Sequence, residues 1–161
     1  MKRAFLSLGS NIGDRRANIG RALAQLDLAG VRILQVSSFY RTEPVGSKPQ
    51  PWFLNCAAET ETDLMPLQLL RRCQAIQREL GRRAGARNGP RTIDIDILLY
   101  ENAVVHLPEL TIPHARMAER RFVLIPLSEI AGDARHPATR RTVREMLEET
   151  ADRSQVIRLK S

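Results

Sequence analysis

Isoleucine and aspartate alternate in the segment 93-IDIDI-97, and no other feature constrains the fold of this chain as strongly. Successive side chains of a β-strand point to opposite faces, so Ile93, Ile95 and Ile97 share one face, and Asp94 and Asp96 share the other. The two carboxylates are then about 7 Å apart along the strand. Aspartate is depleted in strands. The pattern therefore predicts a strand that buries one face and presents two fixed carboxylates on the other.

The sequence allows three roles for this pair of carboxylates. They can form a general acid/base pair, they can hold Mg²⁺ together with substrate phosphates, or they can be salt-bridged at a strand edge. The surrounding charge favours the second reading. Five arginines and one glutamate lie between residues 78 and 91, and the chain carries a net charge of +7. Arginine binds phosphate in bidentate fashion, and the segment 111-TIPHARMAERRF-122 adds His114, Arg120 and Arg121.

Hydrophobic periodicity and turn residues predict the order of the elements. We expect strands over 3–8, 31–40 and 52–60 and a strand within 89–100. We also expect a first helix that Gly30 ends, a second helix over about 66–80, a long proline-rich loop over 41–51 and a helix near Val143. The order β-α-β-β-α-β predicts an α+β fold with a ferredoxin-like core, in which an antiparallel sheet carries helices on one face and leaves the other for a ligand. Short extra strands and helices follow at the C-terminal end. We expect a single domain over 1–161, with a loosely ordered tail after about residue 150.

Several classes of protein are disfavoured. No run of 18 apolar residues is present, so we expect no membrane partner. Neither a Walker motif nor a G-x-G-x-x-G motif occurs, and 9-GSNIGDR-15 is a weak phosphate cradle that reads better as a turn into a helix. The two cysteines, Cys56 and Cys73, lie in apolar patterns, which favours buried free thiols and a cytoplasmic location.

The motifs FLSLGSN, SSFYRTEPVG, WFLN, GPRTIDIDILL and IPHARMAERRFVLIPL, in this order, resemble the 6-hydroxymethyl-7,8-dihydropterin pyrophosphokinases. The resemblance extends from about residue 3 to residue 150, and GPRT followed by the Asp-Ile-Asp strand is its most specific part. It implies a ferredoxin-like core and transfer of pyrophosphate from ATP to the hydroxymethyl group of a reduced pterin, with release of AMP, in folate biosynthesis. It also implies a monomer that acts on small molecules, with no nucleic acid partner.

The resemblance assigns roles to individual residues. Asp94 and Asp96 would bind two Mg²⁺ ions, Asp94 would also face the pterin, and Arg82 and Arg91 would act in catalysis. The nucleotide would contact Arg82, Arg83, Arg87, Arg91, Ile97, Leu98, Thr111, His114 and Arg120. The pterin would contact Thr42, Val45, Phe53, Asn55 and Phe122, with its ring between the two phenylalanines. An aromatic face and an amide edge independently suit a flat polar heterocycle.

Three positions depart from the family pattern. Asn88 stands where tryptophan is frequent, Gln77 where glutamate is frequent, and Ala115 where an aromatic residue is frequent. Two alternatives therefore stay open: a degenerate paralogue that binds pterin without catalysis, and a ferredoxin-like RNA-binding module. The second is weakened by the low aromatic content of 4% and by the absence of an RNP-like motif.

Overall fold

The protein is built on a six-stranded antiparallel sheet. The structure, a computed structural model, describes residues 1–46, 49–81 and 91–160. The strands are β1 (Lys2–Ser10), β2 (Val31–Val36), β3 (Tyr40–Thr42), β4 (Phe53–Thr62), β5 (Asp94–Tyr100), β6 (Val105–Leu107), β7 (Leu110–Ile112) and β8 (Val156–Arg158). The helices are α1 (Arg15–Leu28), α2 (Pro66–Glu79), α3 (Arg121–Ala131) and α4 (Val143–Glu149), with a 3₁₀ turn over Met117–Glu119. The sheet order is β5-β1-β4-β3-β8, with β2 also paired to β4, while β6 and β7 form a separate hairpin.

The predicted strand over 31–40 is two strands, which corrects the sequence analysis. β2 pairs with the second half of β4 and β3 with its first half, so together they occupy one strand position. Between β2 and β3, hydrogen bonds that involve side chains replace the regular backbone ladder. The Ser37 hydroxyl donates to the Ser38 carbonyl and accepts from the Ala57 N–H (2.8 and 2.9 Å), while the Ser38 N–H donates to Glu129 of α3. Such side-chain bonds compete with the backbone ladder.

Helices α1 and α2 cover one face of the sheet and bury the main core with it. Ile19, Leu26, Leu69 and Cys73 are fully buried there, at the helical spacing that the sequence shows. Gly30 and Gly81 follow the two helices with φ of 88° and 97°, a backbone conformation that favours glycine and ends each helix as predicted.

Helices α3 and α4 pack on the opposite face, which the sequence analysis expected to be free of helices. A second apolar cluster forms there between the sheet and these helices, and it includes Ala57, Leu99, Leu124 and Met146. The α+β ferredoxin-like class is confirmed, but only part of the second face is left for a ligand.

Residues 151–160 pack against the rest of the fold, in contrast to the expected loosely ordered tail. β8 pairs with β3 as an edge strand. The Arg121 N–H donates to the Asp152 carboxylate (2.8 Å), and the Arg121 guanidinium donates to the Ser154 carbonyl (3.1 Å). The local sequence could not predict these contacts of the tail, because both donors belong to Arg121 of α3. Among the residues that the structure describes, no helix is long and apolar enough to cross a membrane.

Candidate active site

A cavity of about 640 Å³ opens on the part of the second sheet face that α3 and α4 leave uncovered. Its lining residues come from β1, β3, β4, β5, the loop after β3 and the segment that leads into α3. They are Ser7, Gly9, Thr42, Glu43, Val45, Gly46, Gln50, Phe53, Asn55, Arg91, Asp94, Asp96, Arg116, Arg120 and Phe122.

Both aspartates of the alternating segment line this cavity. Ile93, Ile95 and Ile97 are 0%, 4% and 4% exposed on the other face, so the predicted division of the strand holds. The Ile95 N–H, between the two aspartates, donates to the Gln77 side-chain oxygen of α2 at 2.7 Å. This buried contact fixes the backbone that carries the carboxylates.

The carboxylates are oxygen donors on a rigid strand, which is the chemistry that Mg²⁺ prefers. In the described parts of the chain, no group of three or more histidine, cysteine, aspartate or glutamate side chains could hold a metal. Mg²⁺ usually takes one or two protein carboxylates and completes its shell with water and substrate phosphates. The pair therefore fits Mg²⁺ that arrives with a phosphorylated substrate.

Of the residues that the structure describes, three arginines line the same cavity: Arg91, Arg116 and Arg120. The Arg120 guanidinium lies 5.5 Å from the centre of the Phe122 ring, a cation–π contact that orients it. Sequence reasoning did not single out Arg116, although it lies in the same basic segment. The predicted phosphate ligands Arg82, Arg83 and Arg87 lie outside the residues that the structure describes, as does Asn88.

Aromatic and amide groups form the other side of the cavity. Phe53 and Asn55 share one face of β4, and Asn55 is 4% exposed and donates to the Thr42 hydroxyl at 2.6 Å. Gly9 of β1 is paired with Asn55 on one side and with Asp94 on the other. A Cβ at Gly9 would lie 2.3 Å from the Asn55 side-chain oxygen, so only glycine leaves room for this amide. Sequence analysis took 9-GSN-11 as a turn and missed this role.

Four of the predicted nucleotide contacts do not line the cavity: Ile97, Leu98, Thr111 and His114. The Ile97 side chain lies in the main core, and Thr111 is paired with His106 in the β6–β7 hairpin. Leu98 lies in the second apolar cluster. Burial lowers the pKa of His114; Asp96 opposes this effect, and the nearby Arg120 and Arg116 reinforce it. His114 thus lies near the charged side of the cavity, and the four roles stay predictions.

The thiols take no part in the site. Cys56 and Cys73 are free and buried in the main core, as predicted. Burial raises the pKa of each to about 12, so neither is a thiolate nucleophile at neutral pH.

A family model and individual relatives of known sequence indicate the same protein family for this chain. A sequence model of the family described as 7,8-dihydro-6-hydroxymethylpterin-pyrophosphokinase (HPPK) matches residues 5–132. The chain is 47% identical over 137 residues to the 2-amino-4-hydroxy-6-hydroxymethyldihydropteridine pyrophosphokinase of Bacillus subtilis, covering 84% of this chain and 82% of that protein. Identity to the protein of the same name from Methylorubrum extorquens is 48% over 134 residues, covering 83% and 85%.

Two longer proteins contain a matching region. The chain is 47% identical over 161 residues to "Folic acid synthesis protein fol1" of Schizosaccharomyces pombe and spans 22% of its length. A solved structure of wild-type Plasmodium falciparum HPPK-DHPS with pteroate superposes with a TM-score of 0.72 and 17% identity, over 92% of this chain and 42% of that chain. At that identity the likeness shows the fold alone.

Proposed function

Because this chain belongs to the 7,8-dihydro-6-hydroxymethylpterin-pyrophosphokinase family, we propose that it transfers pyrophosphate from ATP to 6-hydroxymethyl-7,8-dihydropterin in folate biosynthesis. The observation that carries the proposal is a single cavity that joins two fixed carboxylates and three arginines to an amide and two phenylalanines. One side suits a metal-bound polyphosphate and the other a flat polar heterocycle. Monomeric state, cytoplasmic location and single-domain organisation stay predictions.

The pterin is proposed to lie against Phe53 and Phe122, with its edge at Asn55. Aromatic faces stack on a flat ring, and a side-chain amide offers both a donor and an acceptor to the edge of a heterocycle. The bond from Asn55 to Thr42 holds this amide in one orientation. Val45, which is 57% exposed on the loop after β3, completes the apolar lining.

The ATP phosphates are proposed to lie between the carboxylates and the arginines. Asp94 and Asp96 would hold two Mg²⁺ ions, which when bound neutralise phosphate charge and fix the phosphates in place. Arg91, Arg116 and Arg120 would bind non-bridging oxygens and stabilise the charge that develops in the transition state. Arg82, Arg83 and Arg87 are proposed to add to this set, as the family resemblance implies.

In the reaction, the hydroxymethyl oxygen attacks the β-phosphorus in line, and the bond between that phosphorus and the α,β-bridging oxygen breaks. The products are pterin pyrophosphate and AMP, and the hydroxyl proton leaves to water or to a cavity carboxylate. No bond to the protein forms, which agrees with the burial of both thiols. The residues of the site act by placing the two substrates and by balancing charge.

The test is a product assay with Mg-ATP and the hydroxymethyl pterin, followed by separation of the nucleotides. AMP should form only when the pterin and Mg²⁺ are both present. Asp96→Ala should lower kcat by at least about 100-fold, since transition-state charge loses its counter-ion. Asp63→Ala is the matched control, because Asp63 is 83% exposed and its ion pair in the described chain is with the N-terminus, away from the cavity.

The alternatives are outcomes of the same assay. ADP in place of AMP would contradict pyrophosphoryl transfer. Bound pterin without nucleotide turnover would indicate a degenerate paralogue. RNA retention without Mg²⁺ would favour the RNA-binding module, although α3 already packs on the sheet face that such a module uses. An Asp96→Ala variant with more than about a tenth of wild-type kcat would refute the metal assignment.

A further inference from the structure

Asn11, at the end of β1, connects the two sides of the cavity through its own hydrogen bonds. It is 2% exposed. Its side-chain nitrogen donates to the Gln50 side-chain oxygen and to the Pro51 carbonyl, both at 2.9 Å. Its side-chain oxygen accepts from the Arg91 N–H at 2.6 Å, and its own N–H donates to the Arg91 carbonyl at 3.0 Å. Both hydrogens of the amide and its oxygen are therefore used.

The segments that Asn11 joins lead directly into the two halves of the site. Pro51 comes two residues before Phe53, the aromatic residue at the start of β4. Arg91 comes three residues before Asp94, at the start of β5. The two segments are about forty residues apart in sequence. A buried amide between them fixes their relative position, because moving either one leaves a buried polar group unpaired.

We infer that Asn11 is a positioning residue, which holds the pterin side and the phosphate side of the cavity at one separation. The inference rests on the proposed function. In-line transfer requires the attacking oxygen and the phosphorus to lie within about 3.5 Å, and a displacement of about 1 Å can cost roughly 100-fold in rate. Loss of Asn11 should therefore reduce kcat more than it weakens the binding of either substrate.

A buried asparagine with a purely structural role should affect the melting temperature of the protein without affecting kcat. Asn18 provides the comparison: it is 4% exposed, and its amide donates to the Ser10 hydroxyl at 3.2 Å and to the Ile12 carbonyl at 2.9 Å. It supports the same turn, but in the described part of the chain its side-chain hydrogen bonds join Ser10, Ile12 and Arg21, and not Pro51 or Arg91. Asn18→Asp thus loses similar donors without affecting the connection across the cavity.

Trp52 supplies a readout that does not depend on activity. It is the one tryptophan of the chain and directly follows Pro51. The Arg41 guanidinium lies 5.1 Å from its ring centre, and the Arg15 side chain donates to its carbonyl at 3.0 Å. If Asn11 holds this segment, its loss should change the emission of Trp52 and its quenching by acrylamide.

The experiment compares Asn11→Asp and Asn11→Ala with Asn18→Asp. Asp at position 11 keeps an acceptor for the Arg91 N–H and loses both donors. For both Asn11 variants we expect kcat to fall about 10- to 100-fold, the KM of each substrate to change less than about threefold, and Trp52 emission to shift. Asn18→Asp should lower the melting temperature while keeping wild-type kcat and Trp52 emission.

The inference is overturned if folded Asn11 variants keep kcat within about threefold of wild type, or if Asn18→Asp loses as much kcat as they do. If neither Asn11 variant folds, Gln50→Ala decides, since it removes one acceptor and leaves Asn11 in place: unchanged kcat and Trp52 emission would overturn the inference. Absence of AMP from the wild-type protein is a separate result. It refutes the proposed function, and the positioning role falls with it.

Discussion

Replacing Gly9 by alanine should disable the pterin side of the cavity while leaving the sheet intact. The added Cβ would lie 2.3 Å from the Asn55 side-chain oxygen, 3.4 Å from its amide carbon and 3.6 Å from the Phe53 ring. Non-bonded heavy atoms are attractive only beyond about 3.3 Å, so the amide must move by about 1 Å. The backbone at Gly9 is not in the left-handed region, so alanine causes no other strain.

The magnitude follows from the contacts that this displacement breaks. The bond from Asn55 to Thr42 is 2.6 Å long and buried, and leaving such a group unpaired costs about 1–3 kcal/mol. For a chain of this size we expect a melting temperature lower by about 2–10 °C. A displacement of about 1 Å in a group that orients substrate should lower kcat/KM for the pterin by about 100-fold. The KM for ATP should stay near wild type, because the arginines are untouched.

The assay is AMP formation as a function of pterin concentration at saturating Mg-ATP. Gly20→Ala is the matched control: a Cβ there meets nothing within 4 Å, and alanine in α1 favours the helix by about 1 kcal/mol. It should keep full activity and unfold at a slightly higher temperature. A Gly9→Ala protein with kcat/KM for pterin within about threefold of wild type would refute the assignment of Asn55 to the pterin edge.

Two further predictions concern ionisation. Burial opposes a charge on Glu129, but hydrogen bonds from Tyr40 and Ser38 outweigh burial and lower the pKa of Glu129, so its charge stabilises the folded state above the unfolded pKa, and this contribution is lost as pH falls through the folded pKa. The difference in unfolding free energy between wild type and Glu129→Gln should therefore shrink from about pH 6 to about pH 3. A difference that stays constant over this range would contradict the prediction. Burial raises the pKa of the Cys56 and Cys73 thiols to about 12. At about pH 8, native protein should therefore resist alkylation, and denatured protein should be alkylated at both cysteines, which mass spectrometry measures. Rapid alkylation of the native protein would contradict the burial of the thiols.

The alternation in β5 was readable from sequence because a strand with one buried face leaves a period of two. Ile93 and Ile95 lie in the core, and Asp94 and Asp96 line the cavity. The same period of two explains why Phe53 and Asn55 share one face of β4. Strand period and helix spacing were therefore sufficient for the main core under α1 and α2 and for the direction of the β5 side chains that meet in the cavity.

Structural features that depend on residues far away in the sequence could not be predicted from local sequence patterns. The break between β2 and β3 depends on Glu129, which lies more than ninety residues away and binds Ser38. The order of the tail depends on Arg121, which sequence analysis counted among the cationic donors of the site and which instead binds Asp152. A glycine that is required only because an amide approaches it, such as Gly9, carries no local signal.

The pairing of Gly9 with Asn55 on one side and Asp94 on the other sets a distance between the two substrate regions. Neighbouring strands lie about 4.8 Å apart, so the backbones of Asn55 and Asp94 are roughly 10 Å apart, across a single intervening strand. At Gly9 that separation is a property of the hydrogen-bonded ladder, whereas beyond the strand ends the Asn11 side chain holds Pro51 and Arg91. Substitutions in α1, or in α2 at positions other than Gln77, can therefore alter the stability of the protein over a wide range while the geometry offered to the substrates stays constant.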